Sequence, residues 1–305
     1  MGEPLPLRCA TESLAREEPL YGTASRVQRW LIVEQEGAWG REALLESRLD
    51  RTVAARLAEE ARRHRVRVLL ARPAGFRLRP GGGPRRVFLA HTGVERAWIE
   101  RLELPADRAE ALLDIDLGAT AFPEPPRLGE PGPGLALVCT NGRHDPCCAD
   151  LGRPVIRALL EAGTPDVWEA SHVGGDRFAA NIVCLPDGVY YGRVQPPAAA
   201  RLLDDHRDGL LDLACYRGRS CHPPVVQAAE WYARRELGER RLDGVVVLST
   251  DPQPDGPVAV LVQQRGGATL EVLIRRETGA PAQLTCHVRR ESRPPVYRLA
   301  GLRSA

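Results

Sequence analysis

The chain has 305 residues, 43% of them hydrophobic and 27% charged, which leaves room for two or three compact domains and excludes a chain dominated by disorder. A formal charge of +2, with acids and bases interspersed as in Glu46-Ser-Arg48-Leu-Asp50-Arg51, excludes a broad electrostatic footprint for nucleic acid. No apolar run approaches the roughly 20 residues that span a bilayer, and Met1-Gly-Glu-Pro-Leu-Pro6 lacks a basic stretch followed by an apolar one, so a cytoplasmic protein without a membrane segment is expected.

In chain order, a polar leader precedes Arg29-Trp-Leu-Ile-Val-Glu34, which reads as a short buried strand. Val53, Leu57 and Ala61 recur at helical spacing, so residues 51–64 are expected to be helical. Residues 66–71 and 87–91 read as strands, and 98–104 alternates apolar and polar side chains, the period of a strand with one wet face. The middle of the chain repeats this order: strand 135–138, helix 155–162, then strands 167–170, 180–185 and 189–194. A Pro/Gly-rich stretch, 123–134, separates the halves as a linker would. The expectation is an α/β chain in which one unit occurs twice, at 1–122 and 135–221. Beyond Arg217-Gly-Arg-Ser-Cys221-His222-Pro-Pro224, a helix over 225–237 and strands over 245–248, 258–262, 269–274 and 284–288 predict a small α+β appendage at 222–305. Asp255-Gly256 and Gly266-Gly267 supply turn residues between those strands.

Lysine is absent and Ala, Gly and Pro are abundant, so the arginines reflect a compositional bias of the genome and are not read as phosphate-binding groups. In a reducing compartment eight cysteines suggest thiols or metal ligands before disulfides. Four of them, with two of the seven histidines, lie between Val138 and Val194, in Cys139-Thr-Asn-Gly-Arg-His144-Asp-Pro-Cys147-Cys148 and Ser171-His172-Val-Gly174-Gly175-Asp176. The Cys139 to Cys148 loop is long enough to fold back so that two thiolates meet, and His172 and Asp176 can approach from a second loop across the two glycines. The competing reading is small buried thiols beside a capping histidine. Cys9, Cys184, Cys215 and Cys286 read as structural, and Cys221 with His222 as a helix entrance before Pro-Pro.

These segments resemble the sucrase/ferredoxin-like family, whose members include thioredoxin-like ferredoxins of bacteria and bis-histidinyl iron-sulfur proteins of fungi. Besides the cysteine segment, the resemblance rests on Trp168-Glu-Ala-Ser-His172-Val-Gly-Gly-Asp-Arg-Phe-Ala-Ala-Asn181, Leu185-Pro-Asp-Gly188, Tyr191-Gly-Arg-Val194 and the flanking Trp30-Leu-Ile-Val-Glu-Gln35 and 217–224 segments. It implies a thioredoxin-like unit; with the repeated element order, the expectation is two thioredoxin-like α/β units in tandem, only the second with a metal site, plus the C-terminal α+β segment. It also implies a [2Fe-2S] cluster, held in fungal members by Cys-x8-Cys and His-x3-His. Carried over by position, Cys139 and Cys148 match the thiolates and His172 the first imidazole, whereas the fourth place holds Asp176 and not histidine. Asp176 itself, Cys147 or His144 could supply the missing ligand, with Asp176 preferred.

An oxidised [2Fe-2S] core carries about +2, so two thiolates with two imidazoles give a centre near 0, replacing one imidazole by a carboxylate gives about −1, and four thiolates give about −2. The potential is therefore expected between the bis-histidine and four-cysteine types. The implied function is one-electron transfer to an unidentified redox partner protein, with Arg177 a candidate to offset cluster charge or meet an acidic partner. The alternatives are a thiol-disulfide oxidoreductase, against which stands the lack of a Cys-x-x-Cys turn, and a structural zinc module on the same ligands. Sucrose hydrolysis, which the family name invites, would need a paired set of carboxyl groups that no motif marks.

Overall fold

The computed structural model describes residues 8–75, 83–252, 256–288 and 291–305. Its first half contains α1 (Cys9–Ala15), β1 (Arg29–Glu34), α2 (Ala43–Glu46), α3 (Arg51–His64), β2 (Arg67–Pro73), β3 (Arg85–Thr92) and β4 (Ala97–Leu104). Helix α3 begins where the Asp50 carboxylate accepts the N–H groups of Thr52 and Val53 at 2.9 and 3.0 Å, and ends at Arg65, whose φ of 54° is left-handed. Its buried Val53, Ala54, Leu57 and Ala61 pack with Leu31 and Val33 of β1, while Trp30 and Ile32 point to the opposite face of the sheet. Burial on both faces explains why β1 is continuously apolar.

The second half contains β5 (Glu130–Pro131), β6 (Leu135–Cys139), α4 (Pro146–Glu161), β7 (Val167–Ala170), β8 (Ile182–Leu185), β9 (Val189–Tyr191), α5 (Pro196–Arg207) and β10 (Tyr216–Arg219). Helix α4 starts well before the expected residue 155. Asp145 caps it by accepting the Cys147 N–H at 2.9 Å, and Pro146 occupies its first turn, where a missing N–H costs nothing. Cys147 and Cys148 are therefore helical residues and not loop residues. Helices α1 and α5 were not anticipated: α5 buries only Ala199, Leu202 and Leu203, too short a stripe to register as a period. The Pro/Gly-rich stretch is held against the sheet, because β5 pairs with β4 and Glu100 accepts the N–H groups of Arg127, Leu128 and Gly129 at 2.8, 2.9 and 3.2 Å.

All ten strands form one mixed sheet, in the order β10-β9-β8-β6-β7-β2-β1-β3-β4-β5. Within it β1 runs parallel to β2 and β6 parallel to β7, each pair joined by a helix, and the remaining pairings are antiparallel. The order β4-β3-β1-β2 in one half matches β9-β8-β6-β7 in the other, and the halves meet edge to edge where β2 pairs antiparallel with β7. The sheet curls so that distant strands touch across its inner face. Trp30 of β1 lies 6.4 Å from Tyr190 of β9, and Phe88 of β3 packs edge-on against Trp168 of β7 at 5.3 Å. Cys139 and Cys148 belong to this inner core.

The C-terminal segment forms α6 (Pro224–Leu237) and an antiparallel sheet of β11 (Val245–Asp251), β12 (Val258–Gln264), β13 (Thr269–Thr278) and β14 (Pro295–Ser304) in that order. Of the two expected turns, Gly266-Gly267 joins β12 to β13, while Asp255 lies outside the described residues. The strand expected at 284–288 is a turn instead: the Cys286 N–H donates to the Asp145 carboxylate at 2.6 Å and so is not available to a ladder. The fourth strand is β14. No helix among the described residues is long and apolar enough to cross a membrane.

Helix α6 is tied to the large sheet by the Tyr216 hydroxyl of β10, which bonds to a buried ion pair within the helix. Glu230 accepts from Arg234 and from the Tyr216 hydroxyl of β10, both at 3.0 Å. Burial pushes the Glu230 carboxyl up, but Arg234, His222 and Arg219 outweigh it and hold it at about 2, below its ordinary 4.5. A carboxyl depressed in this way contributes stability that is complete above about pH 4.5 and is lost as pH falls toward 2. Glu230→Gln is expected to cost about 3–5 kcal/mol at neutral pH, because Arg234 is left buried without its partner. Urea melts at several pH values should show that loss, together with a flatter dependence of stability on pH below 4.5.

Candidate metal centre

Cys139 is the last residue of β6, and Cys148 sits in the first turn of α4 across the short loop that follows. They face each other because α4 lies very close to the end of β6 at Gly152, where a Cβ would strike the Cys139 carbonyl. The connecting loop is fixed at both sides: the Thr140 hydroxyl donates to Glu169 at 2.8 Å, and the Asn141 side chain donates to the Gly40 carbonyl at 3.2 Å.

His172 and Asp176 come from the segment after β7. The Ser171 N–H donates to the Leu70 carbonyl at 2.8 Å, while its hydroxyl accepts the Leu70 N–H at 3.0 Å, continuing the β2–β7 seam up to the histidine. Arg67 then donates to the His172 carbonyl at 3.0 Å. Gly174 and Gly175 turn the chain back at φ values of 104° and 82°. The group that approaches their backbone is Arg217, which donates to the Gly174 carbonyl at 2.9 Å and to Asn181 at 2.7 Å, and which a Cβ on Gly175 would strike.

The result is two overlapping sets of donors. The ligand atoms of Cys139, Cys148 and His172 lie within 4.8 Å of one another, as do those of His144, His172 and Asp176. Asp176 Oδ1 is 2.9 Å from His172 Nδ1 and 3.4 Å from Cys148 Sγ, and its Oδ2 is 3.9 Å from His144 Nε2. The two imidazoles stack at 3.7 Å, and His144 Nδ1 lies 3.2 Å from the Arg41 carbonyl. The thiols are 1% exposed, whereas the His172 and His144 side chains are 21% and 28% exposed, so the centre lies just under the surface with its imidazoles outward.

With no metal bound, the electrostatics favour the ligand form of Cys139 alone and keep the protons on Cys148 and His172, which binding a metal would displace. A hydrogen bond from Cys148 holds the Cys139 thiol well below its ordinary value against the effect of burial, with His172 adding to the shift. Cys148 moves the opposite way, because it keeps the shared proton and is buried beside Asp176. Burial pulls the His172 imidazole down, but Asp176 and Cys139 outweigh it and lift it to about 9. His172 Nδ1 is nonetheless buried without a well-directed hydrogen bond, despite its nearness to the carboxylate. Two soft thiols, an imidazole with an unsatisfied nitrogen and a carboxylate fit the donor chemistry of an iron-sulfur or zinc centre.

Cys147 does not join this set. Successive helical residues differ by about 100° around the axis, so the thiol next to Cys148 points elsewhere, 3.7 Å from Cys9 and 3.5 Å from Cys286. Arg177 is also turned away, donating to Glu18 at 2.7 Å and lying over the Phe178 ring. A buried cation held against the ligand loop is Arg217, which bonds to the Gly174 carbonyl.

The sequence pattern of the family described as Sucrase/ferredoxin-like matches residues 20–218. Among solved structures, the thioredoxin-like [2Fe-2S] ferredoxin from Aquifex aeolicus is similar at 20% identity, over 30% of this chain and 94% of that one, with a TM-score of 0.26. A cysteine-to-serine variant of that ferredoxin is similar at 20% identity over 28% of this chain and 99% of its own, with a TM-score of 0.25. No curated protein matches the chain.

The glycine turn supplies a test of how the ligand loop is held. Gly175→Ala places a Cβ against Arg217 at a φ that costs a non-glycine residue about 1–2 kcal/mol. Gly163→Ala imposes a similar backbone cost at φ 68°, but in open space beyond the end of α4. Both variants should melt earlier than the parent protein. Only Gly175→Ala should lose most of its bound metal, as read by elemental analysis of the purified chains.

Proposed function

Because the chain belongs to the sucrase/ferredoxin-like family, we propose that it is a one-electron carrier whose [2Fe-2S] cluster is held by Cys139, Cys148, His172 and Asp176. The observation that carries this reading is the convergence of two buried thiols with His172, from the ends of β6 and β7 and the first turn of α4, directly beneath the surface. Such a cluster, when bound, supplies a reversible one-electron couple whose potential follows ligand charge, hydrogen bonding and exposure. The protein's part is to hold the thiols dry, to orient the imidazole, and to present the His172 edge to a redox partner protein. The two matching halves of the sheet support one ancestral thioredoxin-like unit used twice, with ligands kept only in the second. All eight cysteines are free, which suits a reducing cytoplasm.

Thiol-disulfide exchange is disfavoured, since an attacking thiolate must be reachable and both Cys139 and Cys148 are 1% exposed. One observation favours a second reading of the fourth ligand. His144 has its Nδ1 beside the Arg41 carbonyl, the arrangement by which metal-bound imidazoles are commonly oriented, and its Nε2 faces Asp176. In that reading Asp176 orients His172 rather than binding iron.

Protein purified without oxygen should be red-brown and contain about two iron and two inorganic sulfide per chain, with a spin-resonance signal on reduction. Colourless protein without iron would overturn the assignment. Asp176→His should raise the reduction potential, because it removes one negative charge from the ligand set, and should shift the spin-resonance signal. Potential and signal both unchanged would exclude Asp176 as a ligand. His144→Ala should leave the spectrum intact if Asp176 is the fourth ligand, and should abolish or alter it if His144 is.

A further inference from the structure

We propose that Cys9, Cys147, Cys286 and Asp145 form a second metal site, separate from the cluster ligands, that takes a single zinc ion. The three thiols form a nearly equilateral triangle. The Cys9 and Cys147 sulfurs are 3.7 Å apart, Cys147 and Cys286 3.5 Å, and Cys286 and Cys9 3.5 Å. Tetrahedral zinc with Zn–S bonds of about 2.3 Å sets its sulfur ligands about 3.8 Å apart, so this triangle is close to one face of such a site. A disulfide would bring two sulfurs to about 2.05 Å and leave the third aside, and all three cysteines are free.

The fourth corner is Asp145. Its carboxylate oxygens lie 3.8 and 3.7 Å from Cys9 Sγ, and the ligand atoms of all four residues fall within 4.8 Å of one another. Asp145 is fully buried, and its contacts are dipoles: the N–H groups of Cys147 and Cys286, the Thr285 hydroxyl and the Cys9 thiol. The carboxylate and the three thiols bring four metal-binding atoms to one point, and a zinc ion satisfies all four donors together. The Cys9 N–H points at the Cys286 sulfur at 3.4 Å, and Cys147 lies in the first turn of the 16-residue helix α4, where the dipole favours negative charge.

The ligands come from three remote parts of the chain. Cys9 is 138 residues from Cys147, and Cys147 is 139 residues from Cys286. A zinc ion there pins the N-terminal helix and the C-terminal appendage to the end of α4, and so restricts the unfolded chain as a cross-link between distant segments does. It also steadies the helical turn that carries Cys148. The site does not depend on the cluster being iron-sulfur, since it uses none of the cluster ligands.

The test is elemental analysis of the full chain expressed with zinc and iron both supplied. The parent protein should hold about one zinc per chain besides its iron. Cys286→Ser should lose at least fivefold in zinc while keeping iron and sulfide, and Cys148→Ser should do the reverse. Growth of the parent protein with cobalt(II) in place of zinc provides a measurement that does not depend on any variant folding: intense d–d bands of tetrahedral thiolate cobalt are expected. Less than about one-tenth zinc per chain without those bands, full zinc retention by Cys286→Ser, or a disulfide among the three cysteines in intact-mass analysis would each overturn the proposal. Zinc without iron, lost by Cys286→Ser and kept by Cys148→Ser, would overturn the cluster and leave this site standing.

Discussion

The arrangement of the candidate ligands depends on how β2 meets β7. The two strands pair antiparallel at Ala71 with Ala170, Arg72 with Glu169 and Pro73 with Trp168, which joins the halves into one sheet. The pairing sets the register of β7, and so decides that Ser171 meets Leu70 and that His172 emerges beside Arg67. Glu169 reinforces it from two sides, accepting from Arg72 at 2.8 Å and from the Thr140 hydroxyl at 2.8 Å. One carboxylate thereby ties the strand end leading to Cys139 to the strand end leading to His172. A slip of one residue would send Glu169 into the apolar inner face and Trp168 out of it, so the register is strongly specified.

The first turn of α4 is the second constraint, and it serves two directions at once. Asp145 caps the helix, which fixes where Cys147 and Cys148 begin their spiral, and the angle between successive residues sends one thiol toward Cys9 and Cys286 and the other toward Cys139. Adjacent cysteines are poor ligands for one iron, yet on a helix they suit two separate sites. The same carboxylate holds the Cys286 N–H, so the C-terminal appendage is bound to the helix cap and not merely packed against it.

Much of this architecture is legible in the sequence because strands buried on both faces and amphipathic helices leave strong periodic signals. Arg29–Glu34, Arg51–His64 and Val167–Ala170 fall where their patterns predict. Cys139, Cys148 and His172 are identifiable by residue type and spacing, and they do converge. The start of α4 was missed because its signal is a cap, Asp145 with Pro146, and not a period. The strand-like segment at 284–288 forms no strand because a side chain 141 residues away captures its backbone. Cys9 and Cys286 looked solitary for the same reason: their partnership exists only after the chain has folded, and no local spacing can encode it.

In the proposed carrier, the extra negative charge of Asp176 does not act alone on the potential. Arg217 is fully buried against the Gly174-Gly175 turn and interacts electrostatically with Asp176, and Arg67 holds the His172 carbonyl. Burial pulls the Arg217 guanidinium down to about 10, which leaves it charged throughout the neutral range. Buried charges are screened far less than surface ones, so this cation offsets part of what the carboxylate adds, whereas Arg177, already paired with Glu18, contributes little. In that carrier the charge that Asp176 would bring to the fourth position is partly compensated by a cation already needed to hold the loop. The proposed carboxylate ligand and the buried arginine would then be parts of one electrostatic arrangement.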